Sequence, residues 1–245
     1  MKKQVFWLIG IGYLIIGSAL AQLPLMPPEW QSMKIIQTED PVFPLHLQQL
    51  SVTEGETRVV INVGPDGKLQ EWLVVGYTLP EFADAAVRAI KEWKFEPARL
   101  RGEPVGATTE LVFHFEVHGV LVVSQTVTEN LEARVLQLLA RAYAYRSYSL
   151  KELDRIPTPV YTVSPQYPRE LADKGVKGKI AIDFFIDETG AVRMPAGSAS
   201  DDDRLSGLAI AALRQWKFEP PTHDGRPVLA QATQVFNFGP VDGGR

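Results

Sequence analysis

Trp-Lys-Phe-Glu-Pro occupies residues 93–97 and recurs at residues 216–220, 123 positions further along the chain. Gly-x-Pro-Val follows each copy at the same offset, at residues 102–105 and 225–228. The offset also relates other residues, among them Val63 and Ile186, Ala86 and Ala209, and Phe113 and Phe236. With one residue of slip, a Pro-x-aromatic-Pro motif occurs at residues 41–44 and 165–168. The chain therefore carries two copies of a unit of about 80 residues, long enough for a small hydrophobic core.

Each copy opens with a short helix and a β-hairpin. Proline is tolerated in a first helical turn, and runs of β-branched and aromatic residues that end in a glycine-containing turn are typical of hairpins. The helices are predicted at residues 45–50 and 169–174, and the outgoing strands at residues 57–63 and 179–186. The return strand is clear at residues 68–75, whereas Pro195 interrupts residues 191–196 and predicts an edge or truncated strand.

A longer helix and a final strand complete each copy. Apolar residues recur at helical spacing from Phe82 to Trp93 and from Leu205 to Trp216, which predicts one buried face on each helix. Apolar and polar residues then alternate from Leu111 to His118, which predicts a strand with one buried and one exposed face. The pattern predicts an α+β fold of two repeated domains, each a small antiparallel sheet of about three strands packed with one or two helices.

Composition excludes several classes of protein. Of 245 residues, 45% are hydrophobic and 22% charged, which is typical of globular protein. Lys and Arg total 25 against 29 Asp and Glu, so the net charge of −4 provides no field to hold nucleic acid. Cysteine is absent, which excludes disulfides, thiolate zinc sites and cysteine nucleophiles.

The N-terminal residues predict an export signal. Lys2 and Lys3 precede an apolar run, and Ala19-Leu20-Ala21 fits the small-x-small rule for cleavage, so residues 1–21 are interpreted as a signal peptide. The predicted location is then the periplasm. The alternative is an uncleaved membrane anchor facing the periplasm, because the apolar run is at the lower length limit for spanning a bilayer.

The remaining boundaries follow from the repeats. Leu131, Val135, Leu138 and Leu139 have helical spacing, and Thr126 with Glu129 fits a capping box, so a helix is predicted between the two copies. The predicted parts are a short linker at 22–39, a first domain at 40–118, a helical connector at 119–158, a second domain at 159–240 and a tail at 241–245.

No residue group predicts catalysis, a cofactor or a metal. His114, Glu116 and His118 share one strand face, but a solvated face is the favoured interpretation over a metal site. Asp201-Asp202-Asp203 is interpreted as a helix N-terminus rather than a calcium site. Trp93 and Trp216 end apolar helical stripes and are interpreted as core residues rather than ligand platforms. A binding protein without enzymatic activity is therefore predicted.

These motifs together resemble the TonB C-terminal domain family. The second copy matches more closely, with Tyr167-Pro168, Gly190, Trp-Lys-Phe-Glu-Pro at 216–220 and Gly225 in family order. The resemblance implies that an edge strand pairs with an extended peptide of an outer-membrane receptor or another envelope protein. The implied binding strand in the first copy is residues 109–117. In the second copy the implied partner-binding residues are Gln231, Ala232, Thr233, Gln234, Val235, Phe236, Asn237 and Phe238, with Tyr167 and Pro168.

Two other functions stay open at this point. The first is a structural or dimerisation module, in which the two copies pair edge to edge within a chain or between chains. An energy transducer anchored in the inner membrane requires that residues 1–21 are retained. The family's transducers have three parts, namely an anchor helix, a long Pro-rich spacer and a C-terminal domain. Residues 22–40 of this chain reach only about 65–70 Å when fully extended.

Overall fold

The computed structural model describes residues 29–117, 143–197 and 203–239. Their Cα positions form two compact units, with residues 33–97, 106–117 and 143–146 in the first. The second contains residues 29–32, 98–105, 147–197 and 203–239. The predicted signal peptide, the tail and the predicted helix at 126–142 lie outside the described residues.

The described residues of the two units form strands and four helices. The helices are α1 (Leu45–Gln49), α2 (Pro80–Glu92), α3 (Arg169–Asp173) and α4 (Asp203–Leu213), and a 3₁₀ turn spans Leu150–Glu152. The first strands are β1 (Trp30–Gln31), β2 (Lys34–Gln37), β3 (Glu54–Val63), β4 (Leu69–Tyr77), β5 (Lys94–Glu96), β6 (Ala98–Leu100), β7 (Glu103–Val105), β8 (Ala107–Glu116) and β9 (Tyr145–Arg146). The others are β10 (Tyr148–Ser149), β11 (Pro159–Tyr161), β12 (Gly178–Ile186), β13 (Val192–Gly197), β14 (Lys217–Phe218), β15 (Thr222–His223), β16 (Arg226–Pro227) and β17 (Ala230–Phe238).

In the first unit, α2 packs on a sheet of order β8-β3-β4-β9. Pro80 starts α2, where its missing N–H costs no hydrogen bond, and Phe82, Ala86 and Ile90 form its buried stripe. They pack with the inward residues of β3 and β8 in one core. Removing each large apolar side chain from water contributes about 1.5–3 kcal/mol. The helix and the alternating strand are thus where the sequence predicts them.

The second unit repeats this arrangement with α4 against the sheet β10-β17-β12-β13. Leu205, Ala209 and Leu213 are fully buried at four-residue spacing. β13 is formed, and among the described strands it pairs with β12 alone, so Pro195 lies on an edge strand, as predicted. The α+β prediction is confirmed for both units.

The sequence predicts a helix that ends at the tryptophan of the Trp-Lys-Phe motif, whereas in the structure the motif belongs to an extended strand. α2 ends at Glu92, and Lys94–Glu96 forms β5, which pairs with β2; β14 pairs with β11 in the same way. Trp93 and Phe95 are both buried with Lys94 exposed between them, which is the two-residue period of a strand. Three alternating residues directly after a helical stripe are too few for this period to be recognised in the sequence.

Each tryptophan of the motif also forms a hydrogen bond with the backbone just before the Pro-x-aromatic-Pro segment of its repeat. The indole Nε1–H of Trp93 donates to the carbonyl of Glu39 at 2.8 Å, and that of Trp216 donates to the carbonyl of Val163 at 2.8 Å. Trp93 is buried and Trp216 half-buried against the second core, so both are core residues, as interpreted.

Two segments differ from the predicted linker and connector. Residues 34–37, predicted as linker, form β2, because the extended Trp-Lys-Phe segment offers them a backbone partner. Residues 143–158, predicted as the end of a helical connector, contain β9, β10 and the 3₁₀ turn. β9 adds to the β4 edge, where the rings of Tyr145 and Tyr77 stack at 5.2 Å.

Candidate functional site

The last strand of the second unit lies at the edge of its sheet for most of its length. One side of β17 pairs with β12 from Ala230 to Phe238. On the other side, β10 pairs in parallel with Ala230 and Gln231 only. Among the described residues no strand pairs with this outer side beyond Gln231.

The hydrogen bond between β10 and β17 shows which backbone groups point outward. The N–H of Tyr148 donates to the carbonyl of Leu229 at 2.9 Å, so the polar groups of Leu229 point to the outer side. Because these groups alternate along a strand, those of Thr233, Val235 and Asn237 also point outward. Their side chains lie on the exposed face, and Val235 is 37% exposed. The edge therefore presents N–H and C=O groups at every second residue.

A capping box ends β10 and turns the chain away from this edge. The backbone N–H and side-chain hydroxyl of Ser149 donate to Glu152 Oε2 at 2.9 and 2.8 Å, and the 3₁₀ turn follows. The ring of Tyr148 lies 4.5 Å from that of His223. These contacts fix the length of β17 that β10 covers.

Asp154 holds the chain after this turn on the hairpin β15–β16. Its carboxylate accepts from the backbone N–H groups of Asp224 and Gly225, both at 2.9 Å. The bond from Gly225, with one from the Thr222 side chain, holds the pKa of Asp154 below its usual value. Hydrogen bonds of Ser149 and Asp154 thus hold the segment that follows β10.

Two side chains of β17 form hydrogen bonds at or beside its outer edge. The side-chain amide of Gln234 donates to the outward carbonyl of Val235 at 2.9 Å. The hydroxyl of Thr233 donates to Asp183 Oδ1 of β12 at 2.6 Å. The Gln234 amide therefore takes one of the two acceptor positions of the Val235 carbonyl, to which an incoming strand would also bond.

Tyr167 and Pro168, which the resemblance implies as partner-binding, lie at the Phe238 end of β17. The Tyr167 ring is 5.8 Å from that of Phe238, and its hydroxyl donates to the carbonyl of Val176. The carbonyl of Pro168 accepts the N–H of Leu171 at 3.0 Å at the start of α3. The structure thus brings Tyr167 to the predicted strand and gives Pro168 a place at the helix start.

The first unit has the same kind of edge. β8 pairs with β3 along one side, and no strand of the described residues pairs with its other side. The N–H of Val117 donates to the carbonyl of Thr53 at 3.0 Å, so the odd-numbered residues bond to β3. The polar backbone groups of Val112, His114 and Glu116 therefore point outward. The implied strand at 109–117 is an edge strand in this respect.

A cleft of about 380 Å³ opens beside the end of β8. Glu54, Glu56, His114 and Glu116 are among its lining residues. His114 Nδ1 lies 3.0 Å from Glu56 Oε2, and the hydroxyl of Tyr143 donates to the other oxygen of Glu56. Within the described residues no group of His, Asp and Glu side chains is arranged to hold a metal ion. His118 and Asp201-Asp202 lie outside those residues.

Residues 29–117, 143–197 and 203–239 contain no helix with the length and hydropathy needed to cross a bilayer.

Both units are therefore small α+β domains in which, among the described residues, most of the last long strand has a partner strand on one side only. The family model for the Gram-negative bacterial TonB protein C-terminal region matches the chain twice, at residues 40–117 and 163–240. The chain belongs to the TonB C-terminal family and carries the domain in tandem.

Two curated relatives and one solved structure are each similar to part of the chain. Protein TonB of Vibrio cholerae is 34% identical over 67 residues, which are 27% of this chain and 28% of the relative. Protein TonB of Pseudomonas aeruginosa is 30% identical over 81 residues, 33% of this chain and 24% of the relative. The solution NMR structure of the P. aeruginosa TonB CTD is 28% identical with a TM-score of 0.32, covering 40% of this chain and 97% of that one. The chain thus spans about a quarter of the length of the curated relatives it matches.

Proposed function

We propose that this chain is a non-enzymatic periplasmic protein of TonB-type transport that binds an extended peptide by strand addition to the outer edge of β17. The proposed partner is a segment of an outer-membrane receptor or another envelope protein. The observation that carries the proposal is the outward row of backbone groups at Thr233, Val235 and Asn237. Family membership and the named TonB relatives support the link to transport.

Strand addition explains how such a site works without catalytic side chains. Each of the three outward residues has one donor and one acceptor, and each hydrogen bond contributes about 0.5–1.5 kcal/mol net. Ordering an extended peptide offsets part of this gain, so the main chain alone supports weak, reversible binding. Selectivity then depends on side chains beside the edge, including the exposed Val235 and the half-buried Tyr167.

Hydrogen exchange on the full chain tests the proposal. The probes are synthetic peptides of about ten residues from the periplasm-facing segments of outer-membrane receptors. We expect a binding peptide to slow exchange of the amides of Thr233, Val235 and Asn237. Val235→Pro removes one outward N–H while leaving the ladder to β12, and we expect it to weaken binding at least about tenfold.

The equivalent change in the first repeat, Val112→Pro, is the matched control and should leave this binding unchanged. If no receptor peptide slows exchange at β17, the proposed partner is wrong. If these three amides are already protected in a chain that sediments as a dimer, the edges pair with each other, and the module is structural.

Localisation decides between a periplasmic binding protein and an anchored transducer. Cleavage after Ala21 would release the chain into the periplasm. Retention of Met1 in the inner membrane would instead support coupling to a membrane motor.

A further inference from the structure

We propose that a basic surface at the start of β12 binds an extended acidic segment of a partner protein, with aspartate or glutamate at every second position. Lys174, Lys177 and Lys179 make up this lysine patch. Binding there involves side chains on the sheet face and no backbone group of the β17 edge, so the inference goes beyond the proposed function.

The backbone that carries the lysine patch is held in place by hydrogen bonds. Gly175 adopts the left-handed conformation, with a φ of +64°, directly after the turn that ends α3. The N–H of Val176 donates to the carbonyl of Leu171 at 3.0 Å, and the hydroxyl of Tyr167 donates to the carbonyl of Val176. β12 begins two residues later. The three lysines are therefore carried by an ordered turn and strand.

The lysine side chains are exposed and have the spacing of an extended chain. All three are exposed, whereas Val176 is half-buried and Ile180 is buried. Lys177 and Lys179 are two residues apart, which in extended backbone places their side chains on one face, about 6.4–6.8 Å apart. Alternate side chains of an extended partner segment have the same spacing. Such a segment can place successive carboxylates beside successive ammonium groups.

Positive charge is in excess around the patch. Residues 169–179 contain four basic and two acidic residues, and the acidic ones are Glu170 and Asp173. Asp183 lies four residues beyond Lys179 on β12, and its Oδ1 accepts the hydroxyl of Thr233 at 2.6 Å. The excess of positive charge favours an anionic partner.

Other lysines have partners within the chain, whereas those of the patch do not. Among the described residues none forms an ion pair with a lysine of the patch. Three lysines elsewhere contact a carboxylate or a ring, namely Lys34 with Glu96, Lys68 with Asp66 and Lys91 with Trp72. The ammonium groups of the patch are thus available to a partner.

The first repeat has glutamates at the equivalent positions. The offset of 123 residues relates Lys177 and Lys179 to Glu54 and Glu56. Glu54 and Glu56 lie opposite Glu116 and His114 of β8. His114 Nδ1 is 3.0 Å from Glu56 Oε2, so Glu56 has an ionisable partner on the neighbouring strand. The shared fold therefore does not require lysine at these positions.

The cross-strand neighbour of Lys179 is uncharged. Lys179 lies opposite Asn237, which occupies the position of His114 in the first repeat. The same pair of positions thus joins two ionisable groups in one repeat and leaves a lysine opposite a neutral amide in the other. This difference between the repeats is the observation that carries the inference.

A short acidic segment fits the patch better than an anionic membrane surface does. The whole chain has a net charge of −4, so its overall field repels an extended anionic surface. A segment in contact with the patch lies within the Debye length, about 10 Å at 0.1 M salt, where the nearby lysines dominate. The local excess of positive charge therefore favours a narrow partner.

Three capped octapeptides with a fluorescent label test the inference on the full chain by fluorescence anisotropy. Serine alternates with glutamate in the first, with glutamine in the second and with lysine in the third. We expect the glutamate peptide to bind about tenfold more tightly than the glutamine peptide and the lysine peptide to bind least. High salt should remove these differences, because it screens exposed charges.

Substitutions locate the binding. We expect Lys177→Gln with Lys179→Gln to weaken the glutamate peptide about 3- to 10-fold, as for the loss of two exposed ion pairs. Lys34→Gln with Lys68→Gln makes the same change in net charge at lysines that already have partners, and this matched control should leave binding unchanged. Asn237→Asp places a carboxylate opposite Lys179 and should also weaken the glutamate peptide.

Equal effects of the two double variants, or equal binding of the glutamate and glutamine peptides, would overturn the inference. Binding of the wild type, but not of Lys177→Gln with Lys179→Gln, to phosphatidylglycerol vesicles without binding of the glutamate peptide would assign the patch to a membrane surface instead. Val235→Pro separates the two proposals, since it should weaken receptor peptides and leave the glutamate peptide unchanged. Receptor peptides that fail to bind β17 would contradict the proposed function alone.

Discussion

Gly190 lies against the carbonyl of Phe218, and a Cβ atom at residue 190 would be 2.0 Å from that oxygen. The backbone N–H of Phe218 donates to the carbonyl of Gly190 at 2.9 Å, so the hairpin turn and the repeated Trp-Lys-Phe motif meet here. In the first repeat, a Cβ atom at residue 67 would likewise be 2.7 Å from the carbonyl oxygen of Phe95. The hairpin-turn glycine and the phenylalanine of the Trp-Lys-Phe motif therefore contact each other through their backbones.

Gly190→Ala should destabilise the second domain strongly. Its φ of +83° is costly for alanine, and the new methyl group would push on backbone rather than on a flexible side chain. We expect a loss of about 2–4 kcal/mol in the free energy of unfolding. Gly225→Ala is the matched control, since its φ is +71° but no atom lies within 4 Å, and about 1 kcal/mol is expected. Equal losses in urea unfolding would show that the Phe218 contact is unimportant.

The indole hydrogen bonds predict a graded effect at Trp216. Trp216→Phe keeps a ring near Phe236 and Phe218 but loses the bond to the carbonyl of Val163. We expect a loss of about 1–3 kcal/mol, because that carbonyl loses its partner. Trp216→Ala also removes the ring and should cost about 3–5 kcal/mol. Equal stability of the wild type and Trp216→Phe would contradict a structural role for the N–H.

The helix and the core strands follow from the sequence because their periodicity records which face is buried. Phe82, Ala86 and Ile90 predict the inner face of α2 before any coordinate is known. The alternation from Leu111 likewise predicts the inner face of β8. Such patterns arise within a single element, so the sequence contains them.

The features that define the candidate edges depend on pairing between distant segments. Tyr148 and Ser149 are too few to predict a strand, yet they determine where the open edge of β17 begins. The opposition of Glu54 and Glu116 depends on a register that spans 62 positions. Neither relationship leaves a local pattern in the sequence, whereas the family resemblance still pointed to the strand itself.

Asp187 predicts a pH dependence of stability in the second domain. Burial raises its pKa, but hydrogen bonds from the Thr189 side chain and from the backbone of Ala191 and Thr189 outweigh burial and lower it. The folded-state pKa lies below that of the unfolded chain, about 3.9, so the stabilisation is present above that value. It is lost as pH falls through the folded-state pKa. The stability difference between wild type and Asp187→Asn should therefore shrink between about pH 5 and pH 3.

Urea midpoints at the two pH values measure this difference. Thr189→Ala removes one donor to the carboxylate and should give an intermediate effect. A difference that is the same at both pH values would exclude Asp187 as its source.

Gln234 predicts a variant that binds peptide more tightly. Its side-chain amide occupies the outward carbonyl of Val235, and a bound strand would need that acceptor. Gln234→Ala frees it, so we expect receptor peptides to bind up to about tenfold more tightly, the equivalent of one hydrogen bond. Gln215→Ala removes a similar side-chain bond, to the carbonyl of Ala211, and is the control. Unchanged affinity would show that Gln234 does not compete with the peptide.

The N-terminal residues predict how the protein is processed in its own cell. Lys2, Lys3 and the apolar run ending at Ala19-Leu20-Ala21 predict removal of residues 1–21, so intact mass of the exported protein should match a chain that begins at Gln22. Ala19→Arg should block cleavage, because signal peptidase requires a small residue at that position, and should leave the protein attached to the membrane. Ala19→Ser is the matched conservative change and should be processed normally. A wild-type chain that keeps Met1 in the membrane fraction would reject the signal peptide and favour an anchored transducer, in which the 19 residues from Gln22 to Asp40 would have to serve as the spacer.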